Sequence, residues 1–148
     1  MSQNDGMSVV VRGAADILTQ TIEVGPHQLL GDELVEYGGS AKGPSPYEYL
    51  LVALGTCTSM TLQLYANRKG WPLERITVRL RHTKVPTGNT TNDTKAKDVF
   101  DCIEREIELT GMLDDAQRQR LLDIARKCPV NRTLKSEIDI QTRLGCQG

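Results

Sequence analysis

The four cysteines of this 148-residue chain, Cys57, Cys102, Cys128 and Cys146, are its most reactive side chains, and two of them sit where chemistry is plausible. Cys57 lies in GTCTSM, between Gly55-Thr56 and Thr58-Ser59, with the apolar run YLLVAL before it and LQLY after it. Cys128 ends the amphipathic stretch LDDAQRQRLLDIARKC and is followed by Pro129. A thiolate can be oxidised to a sulfenic acid and then condensed with a second thiol to a disulfide, so two buried-face cysteines suggest a redox pair. The plain alternative is that each is a small buried hydrophobe. To act together, Cys57 and Cys128 need Cα atoms within about 7 Å. Gly55 and its small neighbours would permit a close helix crossing at a cost of about 1 kcal/mol for a helical glycine, or would merely admit one neighbouring side chain. Cys102 shares parity with outward-facing glutamates, and Cys146 lies in the GCQG tail.

A thiol in mid-helix gains little from the helix dipole, and burial disfavours its ionised form, so a reactive Cys57 requires a nearby cation. That cation in turn needs a carboxylate to hold it. Glu48 is the available carboxylate, but nine residues of regular helix separate it from Cys57 by roughly 13.5 Å and half a turn. Either the first turn bends away, or an antiparallel, symmetry-related helix brings the Glu48 of a second copy to this Cys57. The second arrangement predicts a twofold dimer with composite sites. Glu48 also stands where a capping-box glutamate belongs, and both readings stay open.

The elements that must position these groups follow from patterning. Residues 46–69 predict one long helix: Ser45 as N-cap, Pro46 at the first position, Arg68-Lys69 at the C-terminal end, then Gly70 and Pro72 as the stop. At 1.5 Å per residue it spans roughly 36 Å, against a domain radius of gyration of about 15 Å. Its middle is apolar nearly all round and is expected to be buried. Upstream, SVVVR and ADILTQTIEV read as strands and hairpins, with Leu18, Ile22 and Val24 on one face. GGSAKGPSP is a turn-rich linker; Pro44-Ser45 stands where a phosphate loop needs Lys-Ser/Thr. ERITVRLRHTKV and CIEREIEL alternate, with arginines on one strand facing glutamates on the next across a solvated sheet face. The segment between them, roughly 84–97, is polar, and its Asn89-Thr90-Thr91 matches a glycosylation acceptor. Asp114 and Gln117 predict a capping box for a second helix whose apolar stripe runs Leu113, Leu121, Ile124, Ala125 and Cys128, with Pro129 as its stop. SEIDIQTRL predicts a last strand with Ile138, Ile140 and Leu144 inward. Strands, long helix, hairpin, helix and strand in this order predict an α+β fold with antiparallel sheets.

Length predicts a single domain over 1–148, with strands and linker in 1–45 and the helix, hairpin, helix and strand in 46–148. With 18 basic and 19 acidic residues the net charge is −1, which gives no reason to expect nucleic acid or anionic lipid as partners. The N-terminal MSQNDGMSVVVRG lacks a basic and apolar leader pattern, and no apolar run is read as the roughly 20 residues of a membrane span. A soluble cytoplasmic protein is expected, and in that compartment a disulfide framework is not. His27 and His82 lie far apart, and no CxxC spacing supports zinc, so neither metal nor cofactor is expected.

GG-x-x-x-GPSPYEYLLVALGTCTSMTL, followed about 70 residues later by ARKCPVNRTL, resembles the OsmC/Ohr family of osmotically induced and organic-hydroperoxide-resistance proteins, most closely its YhfA-like branch. The likeness extends from the GG turn onward through RKGWPLERITVRLRH and GMLDDAQRQRLL. It implies an OsmC-like fold: an intertwined homodimer with two long central helices packed against antiparallel sheets. It also implies thiol peroxidase activity, with Cys57 as peroxidatic and Cys128 as resolving cysteine, an organic hydroperoxide as substrate, and a dithiol such as a lipoylated protein, or a small thiol, as reductant. In the organic-peroxide branch the catalytic glutamate directly follows the helix-opening proline; here Tyr47 holds that place and Glu48 comes one later. The arginine position of the osmotically induced branch is Tyr37 here, and Arg12 in VVVRG is the match to an early arginine of the other branch. The alternative from another class is a dimeric protein of the same fold that binds an apolar small molecule or senses oxidation without turnover.

Overall fold

The computed structural model of the chain describes residues 6–86 and 99–146. The Asn89-Thr90-Thr91 sequence lies outside the described residues. The chain divides into two compact units, Met1–Val52 and Ala53–Gly148. The division falls inside the long helix rather than at the linker before it.

The first unit is a three-stranded antiparallel sheet of β1 (Val10–Ala14), β2 (Ile17–Val24) and β3 (His27–Gly31), in that order. Its register pairs Val11 with Ile22 and Ile22 with Leu29, so the alternation of the sequence collects Val11, Leu18, Ile22 and Leu29 on one concave face. The GGSAKGPSP segment that follows is held by a carboxylate. Asp32 is buried and accepts hydrogen bonds from the Thr19 hydroxyl at 2.8 Å and from the backbone N–H groups of Glu33, Ser40 and Lys42 at 2.8, 3.2 and 3.1 Å. Tyr49, in the first turns of the next helix, donates its hydroxyl proton to the carbonyl of Leu30 and ties that helix start to β3.

Helix α1 spans Pro46–Lys69 as expected, with Ser45 and Glu48 forming the predicted capping box: Glu48 N–H donates to Ser45 Oγ at 3.3 Å and Ser45 N–H to Glu48 Oε1 at 3.0 Å. Gly70 closes it at φ +69°, the left-handed conformation that glycine adopts without strain. In the second unit β4 (Leu73–Pro86) and β5 (Val99–Gly111) form the antiparallel hairpin. Arg79 reaches Glu106 and Glu108 at 3.3 and 3.0 Å, and Arg81 reaches Glu104 at 2.9 Å, so the cross-strand charge pairing holds. The other face packs with α1 and with α2 (Asp115–Ala125) around Leu62, Ala66, Leu113, Leu121, Ile124 and Ala125.

Four expectations are corrected here. Helix α1 buries one stripe only, Leu54, Thr58, Leu62 and Ala66 at four-residue spacing, while Met60 and Leu64 stay 60% and 65% exposed. One sheet covers one stripe of a helix, which leaves the opposite side of α1 exposed among the described residues. The same helix is long and apolar enough, by length and composition, to cross a membrane, contrary to the reading that no segment approaches that length. The stretch 137–146 forms no strand, and Ile138, Ile140 and Leu144 are exposed, because alternation alone supplies neither a partner strand nor a covering layer. Pro129, read as a helix stop, instead opens α3 (Pro129–Leu134) at a position where the missing N–H costs nothing.

Candidate functional site

The site grows from one face of α1 in the second unit. Thr58 is fully buried, and its hydroxyl donates to the Leu54 carbonyl one turn back at 2.6 Å. The same oxygen lies 3.9 Å from Cys128 Sγ and accepts a hydrogen bond from Arg105 Nη1 at 2.9 Å. Cys57, the neighbour of Thr58 in the chain, is half-buried, whereas Cys128 is completely buried; all four cysteines are free thiols.

Cys128 owes its position to a short break between helices. Helix α2 ends at Ala125, and Cys128 becomes the N-cap of α3 rather than the last member of the α2 stripe. Its sulfur accepts from the backbone N–H of Asn131 at 3.4 Å, the bond a serine would make at an N-cap. The Asn131 side chain is held at both ends: its Nδ2 donates to the Arg126 carbonyl at 2.9 Å, and its Oδ1 accepts from Arg105 Nη2 at 3.2 Å. One guanidinium thus bridges α1 and α3 through Thr58 and Asn131, directly beside the buried thiol. A cleft next to it is lined by Leu54, Ile103, Arg105, Arg126 and Lys135 with Asp101 among them, so apolar walls meet charges of both signs.

Gly55 serves the β-hairpin, not a helix crossing. A methyl group there would stand 2.8 Å from Leu80 Cδ1, so the glycine lets β4 press against α1.

Arg12 and Glu48 belong to the first unit. Arg12 pairs with Glu23 across β1 and β2 at 2.7 Å, and Glu23 keeps its guanidinium firmly protonated. Glu48 is exposed, and Ser45, chiefly through its backbone N–H, holds the carboxyl below its ordinary range. Among the described contacts, the structure therefore joins the surroundings of Cys57 to Cys128 and gives Arg12 and Glu48 local partners.

Sequence reasoning missed Arg105, Thr58 and Asn131. The signal for Arg105 was present in CIEREIEL: it occupies the inward parity of Ile103 and Ile107, where a cation is out of place unless something polar receives it.

A family model described as OsmC-like protein matches residues 39–143. The chain belongs to the OsmC-like family. Solved structures share its fold. An OsmC-like protein from Mycoplasma pneumoniae superposes with a TM-score of 0.69 at 19% identity, covering 90% of this chain and 89% of its own. An organic hydroperoxide resistance protein OsmC from Legionella pneumophila gives 0.66 at 16% identity, with 93% and 95% covered. The organic hydroperoxide resistance protein OhrB of Bacillus subtilis gives 0.61 at 14% identity, with 90% and 93% covered. No match is found among curated proteins. Within this OsmC-like chain Cys57, Cys128, Thr58, Arg105 and Asn131 all lie in the part matched by the family model.

Proposed function

We propose that this OsmC-like protein is a homodimeric, cytoplasmic thiol peroxidase that reduces organic hydroperoxides, with Cys57 as the peroxidatic and Cys128 as the resolving cysteine. The observation that carries this reading is the contact of Thr58, next in the chain to Cys57, with Cys128 Sγ. Accessibility supports the division of roles, since Cys57 is half-buried and Cys128 wholly enclosed. The Cys57 thiolate attacks the terminal peroxide oxygen; the O–O bond breaks, the alkoxide leaves and takes up a proton, and Cys57 becomes a sulfenic acid. The Cys128 thiol then attacks the Cys57 sulfur, forming the disulfide and releasing water. A dithiol such as a lipoylated protein, or a small thiol, returns both to thiols. In the dimer, Glu48 and Arg12 of a second copy are assigned to complete the site around Cys57.

The dimer reading is supported by the uncovered apolar face of α1 and by the unpaired alternation of 137–146, both of which a second copy would cover. One observation favours the second reading, a dimeric redox-sensing or small-molecule-binding protein with little turnover: Arg12 and Glu48 already have partners in their own unit.

Consumption of cumene hydroperoxide with dihydrolipoamide separates the two. Turnover in the wild type that disappears in Cys57→Ser is the expected result. Equal, negligible rates in both proteins would remove the enzyme and leave the sensor.

A further inference from the structure

The Arg105 cluster bears on a step that the pairing of cysteines leaves open: which sulfur the reductant attacks. A disulfide can be opened at either end, and the preferred route attacks the accessible sulfur and expels the better-stabilised thiolate. Resting on the thiol-peroxidase reading above, we infer that the Arg105–Thr58–Asn131 cluster makes Cys128 the leaving thiolate, so that the reducing thiol attacks Cys57.

The hydrogen-bond inventory gives the reason. A threonine hydroxyl has one proton to donate and lone pairs to accept with. Arg105 Nη1, permanently charged, occupies a lone pair of Thr58 Oγ1 at 2.9 Å, which leaves that hydroxyl as a donor. In the thiol form its proton goes to the Leu54 carbonyl at 2.6 Å. When negative charge appears on Cys128 Sγ, 3.9 Å away, the hydroxyl has a second acceptor and turns to it. Asn131 already aims its backbone N–H at that sulfur at 3.4 Å, and Arg105 steadies Asn131 through Oδ1 at 3.2 Å. The buried sulfur thus receives two donors with a guanidinium behind them.

In the step itself, a reductant thiolate bonds to Cys57 Sγ, the Cys57–Cys128 bond breaks, and its electron pair leaves on Cys128. With a dithiol, the second thiolate then attacks the reductant sulfur, and Cys57 departs as thiolate while the reductant becomes a cyclic disulfide. The two protons of the dithiol end on the two cysteines. Arg105 touches no reacting atom in this scheme and is a positioning residue.

The test uses the full chain carrying Cys102→Ser and Cys146→Ser, oxidised with cumene hydroperoxide and digested before and after brief exposure to the monothiol N-acetylcysteine. Before the thiol, a linked Cys57–Cys128 peptide is expected; its absence would overturn the peroxidase reading and this inference together. After the thiol, the mixed disulfide is expected on Cys57 at least tenfold over Cys128. An equal split, or an adduct on Cys128, would overturn this inference alone. Burial by itself also directs attack to Cys57, so variants separate access from leaving-group stabilisation. Arg105→Gln and the near-isosteric Thr58→Val are each expected to slow disulfide cleavage by the monothiol about tenfold, and Arg105→Lys to restore most of the rate. Unchanged cleavage rates in both Arg105→Gln and Thr58→Val would overturn the role of the cluster.

Discussion

Asp32 shows at the scale of one residue how a buried charge shapes this protein. Burial works against its ionisation, yet the Thr19 hydroxyl and three backbone N–H groups outweigh it and hold the carboxyl down at about 2. A carboxyl whose folded value lies below the roughly 3.9 of an unfolded chain contributes stability that is complete above that value and lost as pH falls through the folded one. Urea denaturation from pH 6 to pH 2 is therefore expected to show the wild type losing stability between about pH 4 and pH 2. Asp32→Asn should be less stable at pH 6 and show a shallower loss over that window, so that the two curves converge in acid. Parallel curves would mean that the loop does not depend on the ionised form. Arg105 illustrates the complementary case: its charge is received by a hydroxyl and an amide oxygen, so it organises the thiol site instead of the surface.

At the scale of elements, caps decide where helices begin and so where the second thiol stands. Asp114 accepts from Gln117 N–H at 2.7 Å while Gln117 Oε1 accepts from Asp114 N–H at 2.9 Å, a complete capping box at the start of α2. Asp114→Ala is expected to lower unfolding stability by about 1 kcal/mol, read as a shifted urea midpoint with unchanged slope. The break between α2 and α3 matters more for function. Pro129 cannot continue a helix, but it suits the first position of a new one, and that makes Cys128 a cap whose sulfur meets a backbone donor. A periodicity argument follows Leu121, Ile124 and Ala125 on to Cys128 and places it on the correct buried side. It cannot register that α2 has already ended three residues before the pattern does.

At the scale of the whole molecule, the surface of α1 and the C-terminal segment are what a single chain leaves unfinished. Met60 and Leu64 are exposed large apolar groups on a helix whose opposite stripe is core. In the proposed dimer they are covered, and a charge there would be buried without a partner. Light scattering of the wild type is expected at twice the chain mass, and Leu64→Glu is expected to shift the population toward the single-chain mass. Since Leu64 is exposed in the chain itself, that substitution should leave the secondary structure by circular dichroism intact. A wild type that scatters as a single chain would remove the composite site, and with it the part assigned to Glu48 and Arg12.

Read along the chain, local rules settled a great deal by themselves: where α1 begins and ends, which residues of the hairpin carry charge, and that Cys128 lies on a buried face, while Cys57 is half-buried beside the buried stripe of α1. Each of these depends on neighbours within a few residues, where spacing and geometry are tied by helix pitch and strand alternation. The motifs around the two thiols also sufficed for the family. Tertiary structure alone decided that Gly55 makes room for Leu80, that Asp32 anchors the linker, and that Arg105 reaches Thr58 and Asn131. Those pairings join residues far apart in sequence, and only the packing of a helix on a sheet determines which inward side chain meets which.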